Sequence, residues 1–168
     1  MTTTIDISET MDIRKAFSTF PSGIAALGAV VDGAPKGLVA SAFTVGVSLD
    51  PPLVSVAVQN NSTTWPFLRG AGRIGVSILG ADQEATCRQL ASKNPDKFDL
   101  ISYTTSGGAA IRIPGSPLWL ECSLFAEYPA GDHTVALLEV HHADVDTENS
   151  PLIFHDSTFK SLSPALRL

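Results

Sequence analysis

From residue 24 onward the chain breaks into short apolar runs, each closed by Gly, Pro, Asp or Asn, and this punctuation constrains its fold more than any other feature. The runs cover 24–31, 37–44, 53–59, 74–79, 118–128 and 134–145. Runs of this length, rich in Val, Ile, Leu and Thr, read as strands. Between the first two lies Asp32-Gly33, followed by Ala34-Pro35-Lys36-Gly37. Such a loop forms a hairpin, so those two strands are expected to be antiparallel neighbours. The whole reads as a mainly β, antiparallel barrel with a few peripheral helices.

Three helices are expected. Ile13, Ala16, Phe17 and Phe20 fall at i, i+3, i+4 and i+7 and are closed by Pro21-Ser22-Gly23, which predicts a helix that packs one apolar face. Pro66 opens a short helix running to Arg69, and Asp82 is placed to cap a helix over 83–92 with Cys87, Leu90 and Ala91 as its apolar stripe. Residues 104–116, with Gly107-Gly108 and Pro114-Gly115, read as a loop or ragged strand. Lacking repeats and linkers, the chain reads as one domain over 1–168 with its core at about 12–162.

Eleven Lys and Arg against 17 Asp and Glu give a net charge of −6, and no basic run exists. That balance argues against nucleic acid and anionic membrane as partners, because both are bound chiefly through clustered cations. Charged residues make up 17 %, below the roughly 25 % usual for soluble domains, while 44 % are hydrophobic. The surplus suggests a second buried surface, between subunits. The longest apolar run falls far short of the ~20 residues a membrane helix needs. Cys87 and Cys122 form no CxxC, and Met1-Thr2-Thr3-Thr4-Ile5-Asp6 has neither a basic nor an apolar leader region, so a cytoplasmic protein with reduced thiols is expected.

Several apparent motifs fail on context. Gly70-Ala71-Gly72-Arg73-Ile74-Gly75 matches GxGxxG, but a dinucleotide fingerprint needs a strand before it and a helix after it, and here the order is reversed. Gly46-Val47-Ser48-Leu49-Asp50 lacks the final glycine of a nucleophile elbow, and Pro51-Pro52 forbids the helix that should follow. His133, His141, His142 and His155 show no metal-ligand spacing, so no metal is expected, and adjacent His141 and His142 would point to opposite faces of a strand.

What remains is a set of polar clusters at strand ends. Ser41-Ala42-Phe43-Thr44 follows a glycine-led strand, where a flat ligand could approach backbone N–H groups. Gln59-Asn60-Asn61-Ser62-Thr63-Thr64 precedes the Pro66 helix and suits either an anion or an ordinary capped turn. Asp132 and His133 sit in the turn Pro129-Ala130-Gly131-Asp132-His133-Thr134, which taken alone is more often a structural turn. Lys97-Phe98 sets a cation beside an aromatic ring.

In order along the chain, these pieces resemble the flavin reductase family with the FMN-binding split-barrel fold, the reductase components of two-component flavin monooxygenases. The resemblance runs from about Phe20 to Leu162. It rests on Phe20-Pro21-Ser22-Gly23, the stretch from Gly37 to Thr44, Ser48-Leu49-Asp50-Pro51-Pro52-Leu53 and Asn60-Asn61-Ser62-Thr63-Thr64-Trp65-Pro66. It continues in Gly131-Asp132-His133 and in Pro151-Leu152-Ile153-Phe154-His155 running into Phe159-Lys160-Ser161-Leu162.

The resemblance implies a homodimer that passes hydride from NADH or NADPH to FMN or FAD, the reduced flavin diffusing to a separate monooxygenase. It further implies that Val39, Ala40, Ser41, Ala42, Phe43 and Thr44 lie along the isoalloxazine. Asn60, Ser62, Thr63 and Thr64 would receive the ribityl phosphate, Gln59 would add a further cofactor contact, and Lys97 and Phe98 would close over the flavin. Asp132 and His133 would hold the nicotinamide, His133 by positioning it and not as an acid or base, and Phe159 completes the flavin contacts. The segment between Gly37 and Asp50 is one residue longer than the common family pattern, and Phe159-Lys160 stands where an arginine is frequent. Two other readings of the same barrel are a tight FMN-binding electron carrier and a pyridoxamine-phosphate-oxidase-like enzyme. The second generally needs several clustered basic residues.

Overall fold

The computed structural model describes residues 1–163, so the last five residues of the expected domain lie outside it. Helix α1 (Thr10–Ser18) leads into β1 (Ser22–Gly23), β2 (Ala25–Val31), β3 (Ala34–Ala40), β4 (Phe43–Leu49) and β5 (Pro52–Gln59). Then follow α2 (Trp65–Arg69), β6 (Ile74–Ile78), α3 (Glu84–Ala91), β7 (Thr104–Thr105) and β8 (Ile111–Arg112). The chain closes with β9 (Leu118–Ala130), β10 (His133–Val145), β11 (Leu152–His155) and β12 (Thr158–Ser161). All strand pairings are antiparallel, and the main sheet has seven strands in the order β3-β2-β6-β9-β10-β5-β4.

The two edge strands of that sheet, β3 and β4, are consecutive in the chain and are joined only by Ser41-Ala42. The sheet must therefore curl until its edges meet at this link, where the Ala57 N–H donates to the Ala42 carbonyl at 2.9 Å. Away from the link the edges diverge, which splits the barrel. The expected 24–31/34–40 hairpin is present, with Ala25 opposite Ala40 and Val31 opposite Ala34.

Strand β2 is buried on both faces because it separates two cores. Ala25, Leu27 and Ala29 point into the barrel with Val54, Val56, Val58, Ile74, Val76, Leu120, Ala136 and Leu138. Ile24 and Ala26 point the other way, toward Leu90, Phe98, Ile101, Ile111 and Ile113. A continuous apolar run is what a strand buried on two sides requires. Helix α2 adds Trp65 and Leu68 to the barrel core, each such side chain stabilising the fold by about 1.5–3 kcal/mol.

Four expectations need correction. Helix α1 buries none of its residues, and Phe17 and Phe20 are 73 % and 76 % exposed. An amphipathic face signals burial without saying against which chain. Helix α3 starts with Gln83 at its cap, not Asp82, and no side chain caps it. The Gln83 amide is engaged elsewhere, accepting from the Gly80 N–H and donating to the Pro114 carbonyl, both at 2.7 Å. The run 37–44 divides into two strands at Ser41-Ala42, and β4 carries a register shift between Thr44 and Ser48 around Gly46, whose φ is +69°. The adjacent His141 and His142 do not simply alternate across β10, because a second register shift falls between Val140 and His142.

Candidate functional site

Where the barrel splits, a cavity of about 1010 Å³ opens between the free edge of β3, the end of β5, the 61–64 turn and the C-terminal end of α3 with the loop after it. Strand β3 pairs only with β2, so its outer edge presents unpaired backbone N–H and C=O groups to this space. Lys36, Lys93 and Lys97 line the cavity, and among the described residues no Asp or Glu does. In a chain of net charge −6 this is a local reversal of sign, suited to an anionic ligand.

Of the residues singled out from sequence, Val39, Ala40, Ser41, Ala42, Gln59, Ser62, Thr63, Thr64, Lys97 and His133 line this cavity. The turn holding the hydroxyl cluster is ordered from within. The Ser62 N–H donates to the Gln59 carbonyl at 3.0 Å, and Ser62 Oγ accepts the Trp65 N–H at 3.1 Å. Lys97 Nζ donates to the Leu90 carbonyl at 3.0 Å, tying the post-helix loop to the last turn of α3, and burial pulls its ammonium below the usual lysine range.

His133 is half-buried at the start of β10, opposite Gln59 of β5. Its Nδ1 lies 2.6 Å from Asp132 Oδ1, and this hydrogen bond holds the exposed Asp132 carboxyl below the ordinary carboxylate range. A carboxylate can only accept, so the Nδ1–H of His133 is the donor in this bond.

The remaining candidates lie elsewhere. Phe98 is buried in the second core, its ring edge-on to Tyr103 at 5.4 Å. Phe159 packs on Phe154 and beneath the Arg88 guanidinium. Phe43 packs against the barrel core, and Thr44 is exposed on β4. Asn60 turns away into a second cavity of about 450 Å³, lined also by Trp65, Arg69 and Glu127. There Glu127 accepts from the Trp65 indole at 2.8 Å and from Arg69 at 2.6 Å.

Sequence reading missed Lys36, Phe67, Lys93 and Asn94 in the cavity wall. Lys36 was legible as part of the first hairpin, and the structure places its Nζ 4.7 Å from the centre of the Phe67 ring. Nothing in the sequence marked Phe67, which is separated from Lys36 by two strands. His141, His142 and His155 lie within hydrogen-bond reach of Ser123, Asp144 and Lys160, respectively. Among the described residues no three His, Cys, Asp or Glu side chains are grouped to hold a metal.

Residues 17–163 match the flavin reductase like domain. The chain belongs to that family. This flavin reductase-like chain is 35 % identical to a flavin reductase of Pseudomonas putida over 143 residues, covering 84 % of each. It is 30 % identical to the reductase subunit HsaB of a flavin-dependent monooxygenase from Rhodococcus jostii, covering 90 % of this chain and 77 % of that one. Among solved structures, the NADH:FAD oxidoreductase SgcE6 of Streptomyces globisporus, in complex with NAD and FAD fragments, superposes with a TM-score of 0.92. The two are 30 % identical, over 98 % of this chain and 99 % of that one.

Proposed function

We propose that this protein is a flavin reductase that takes hydride from NADH or NADPH, delivers it to FMN or FAD in the cleft at the barrel split, and supplies reduced flavin to a separate monooxygenase. The observation that carries the reading is the cleft itself. One wall is an unpaired strand edge, another a turn of hydroxyls, and the rim holds three lysines and one histidine.

These residues fit a flavin. The backbone of Val39, Ala40, Ser41 and Ala42 offers donors and acceptors along a flat ring. Ser62, Thr63, Thr64 and Gln59 offer hydroxyls and an amide to the ribityl phosphate, and Lys36, Lys93 and Lys97 offset its charge. Bound flavin supplies the ring that accepts hydride. The chain contributes placement: His133 lines the cleft and orients the nicotinamide there, and the cleft walls exclude water from one side of the reacting pair. No acid–base pair is required. Asp132 acts on the ring of His133, Phe98 and Phe159 support the walls from behind, and Phe43 and Thr44 fix the strand entering the split.

The proposal extends to a homodimer, supported by Met11, Phe17, Phe20, Val45, Val47 and Leu49, all exposed on the single chain. It also extends to one domain over 1–168 and to a cytoplasmic setting, supported by two buried, free cysteines. No helix among the described residues is long and apolar enough to cross a membrane.

The test is NADH and NADPH oxidation by purified protein with and without added FMN or FAD. Turnover that depends on added flavin is the expected result. A protein that stays yellow through dialysis and needs no added flavin is instead the tight carrier, and one inert with all four combinations is not a flavin reductase.

A further inference from the structure

Asn60 lies between two cavity-lining residues, Gln59 and Asn61, yet it does not line that cavity. Its hydrogen bonds go to the turn between β9 and β10 and to Thr134 at the start of β10. The backbone N–H of Asn60 donates to the Asp132 carbonyl at 3.0 Å. Its Nδ2 donates to the Gly131 carbonyl at 3.2 Å, and its Oδ1 accepts from Thr134 Oγ1 at 2.9 Å. Three bonds from one residue therefore grip positions 131, 132 and 134, and the position they enclose is His133.

The place of this clamp in the ladder explains its use. Pairing between β10 and β5 ends at His133 opposite Gln59, so the turn beyond has no strand partner on that side. Gly131 sits at φ +65°, a conformation that the turn must hold without help from a side chain of its own. Asn60 is the next residue after the ladder stops, and its amide continues the pairing onto the turn. The Asp132 carbonyl that it holds belongs to the residue whose carboxylate fixes the His133 ring at 2.6 Å.

We propose that Asn60 is a positioning residue for nicotinamide: it holds the Gly131-Asp132 turn so that Asp132 can orient the His133 ring toward the cleft, and it does not contact flavin phosphate. This rests on the reading of His133 as the nicotinamide seat. It assigns adjacent residues of one polar run to different ligands, Ser62 to Thr64 to the flavin and Asn60 to the turn that meets the hydride donor.

The test is steady-state kinetics with NADH and FMN on wild type, Asn60→Ala, His133→Ala and the double variant. Losing two side-chain hydrogen bonds should raise the KM for NADH about tenfold. The KM for FMN should stay within about twofold, and the double variant should be no worse than His133→Ala. Thr134→Val removes one of the two side-chain bonds with little change of shape, and Asn60→Asp keeps that bond while setting a carboxylate oxygen against the Gly131 carbonyl in place of the other. Both should raise the NADH KM even if Asn60→Ala folds poorly. A rise in the FMN KM alone, additive effects of Asn60→Ala and His133→Ala, or an unchanged NADH KM in Thr134→Val and Asn60→Asp would overturn the proposal. If His133→Ala itself leaves the NADH KM unchanged, the reading of His133 fails first and the inference with it.

Discussion

The Phe98 ring packs directly against Gly37: a Cβ built on Gly37 would stand 2.7 Å from Phe98 Cζ and 3.0 Å from the Leu27 carbonyl oxygen. Gly37 is also part of the cavity wall, so this contact joins the second core to the proposed flavin cleft. Replacing Gly37 by Ala should cost about 1–3 kcal/mol, because the ring is buried and cannot swing clear. The displaced segment includes Lys97, so the KM for flavin should rise as well. Phe98→Leu in the same chain should recover part of the lost stability, measured as the urea midpoint. Equal midpoints for Gly37→Ala and wild type would show that the wall yields freely.

The apparent fingerprint Gly70-Ala71-Gly72-Arg73-Ile74-Gly75 makes a sharper prediction, because its glycines do unlike things. A Cβ at Gly75 would lie 1.8 Å from the Ile111 carbonyl oxygen, whereas at Gly72 it would meet nothing within 4 Å. Gly75 lets the β8 segment cross β6 at backbone contact, while Gly72 only shapes a turn. Gly75→Ala should leave little soluble protein. Gly72→Ala should change stability by no more than about 1 kcal/mol, with a slight gain from the reduced freedom of the unfolded chain. Flavin-dependent NADH oxidation by Gly72→Ala should match wild type, since this turn holds no phosphate.

Much of this architecture was legible in advance, for identifiable reasons. Strands β2, β5, β6, β9 and β10 carry long apolar runs because each contributes to the barrel core, and the Asp32-Gly33 loop fixed the first hairpin. Strands β11 and β12 were not read as strands because they are four residues each and pair away from the main sheet. In the site, backbone edge and hydroxyl turn were visible as local clusters. Lys97 and Phe98 are neighbours in sequence, but the turn over 95–100 sends one to the cleft and the other into the second core, which no dipeptide discloses. Asn60 shows the same limit: its chemistry suits phosphate, and only the register of β10 on β5 reveals that it serves the opposite turn.

The exposed rings of Phe17, on α1, and Phe20, just beyond its end, bear on assembly. They add apolar surface to a segment whose own chain offers it no core. In the proposed homodimer, a two-fold axis doubles every such contact. Exchanging both rings for Ser should leave the folded chain intact, since neither is buried in it. Losing about 1.5–3 kcal/mol per ring, with four rings per dimer, should weaken association by at least about ten-thousandfold. Sedimentation equilibrium would report wild type at twice the 17.7 kDa chain mass and the variant shifting toward it on dilution. An unaltered dimer would place the interface elsewhere, with β4 and its exposed Val45, Val47 and Leu49 the next surface to vary.

Cys122 gives a pH dependence with a definite sign. It is fully buried in the barrel core, and burial, assisted by the adjacent Glu121 carboxylate, pushes its thiol up to about 12 from an ordinary 9.0. Between those two values the unfolded chain has lost the proton and the folded chain has kept it. Folding stability therefore falls as pH rises through this window, by up to ~1.4 kcal/mol per pH unit from this group. Below pH 9 the contribution is flat. Lysines and tyrosines titrate in the same range, so the measurement is a difference: urea midpoints of wild type and Cys122→Ala at pH 8, 9.5 and 10.5. The variant should begin less stable, having lost a buried sulfur, and the gap should narrow as pH rises. A gap constant with pH would mean that the thiolate forms in the folded barrel as readily as in the unfolded chain.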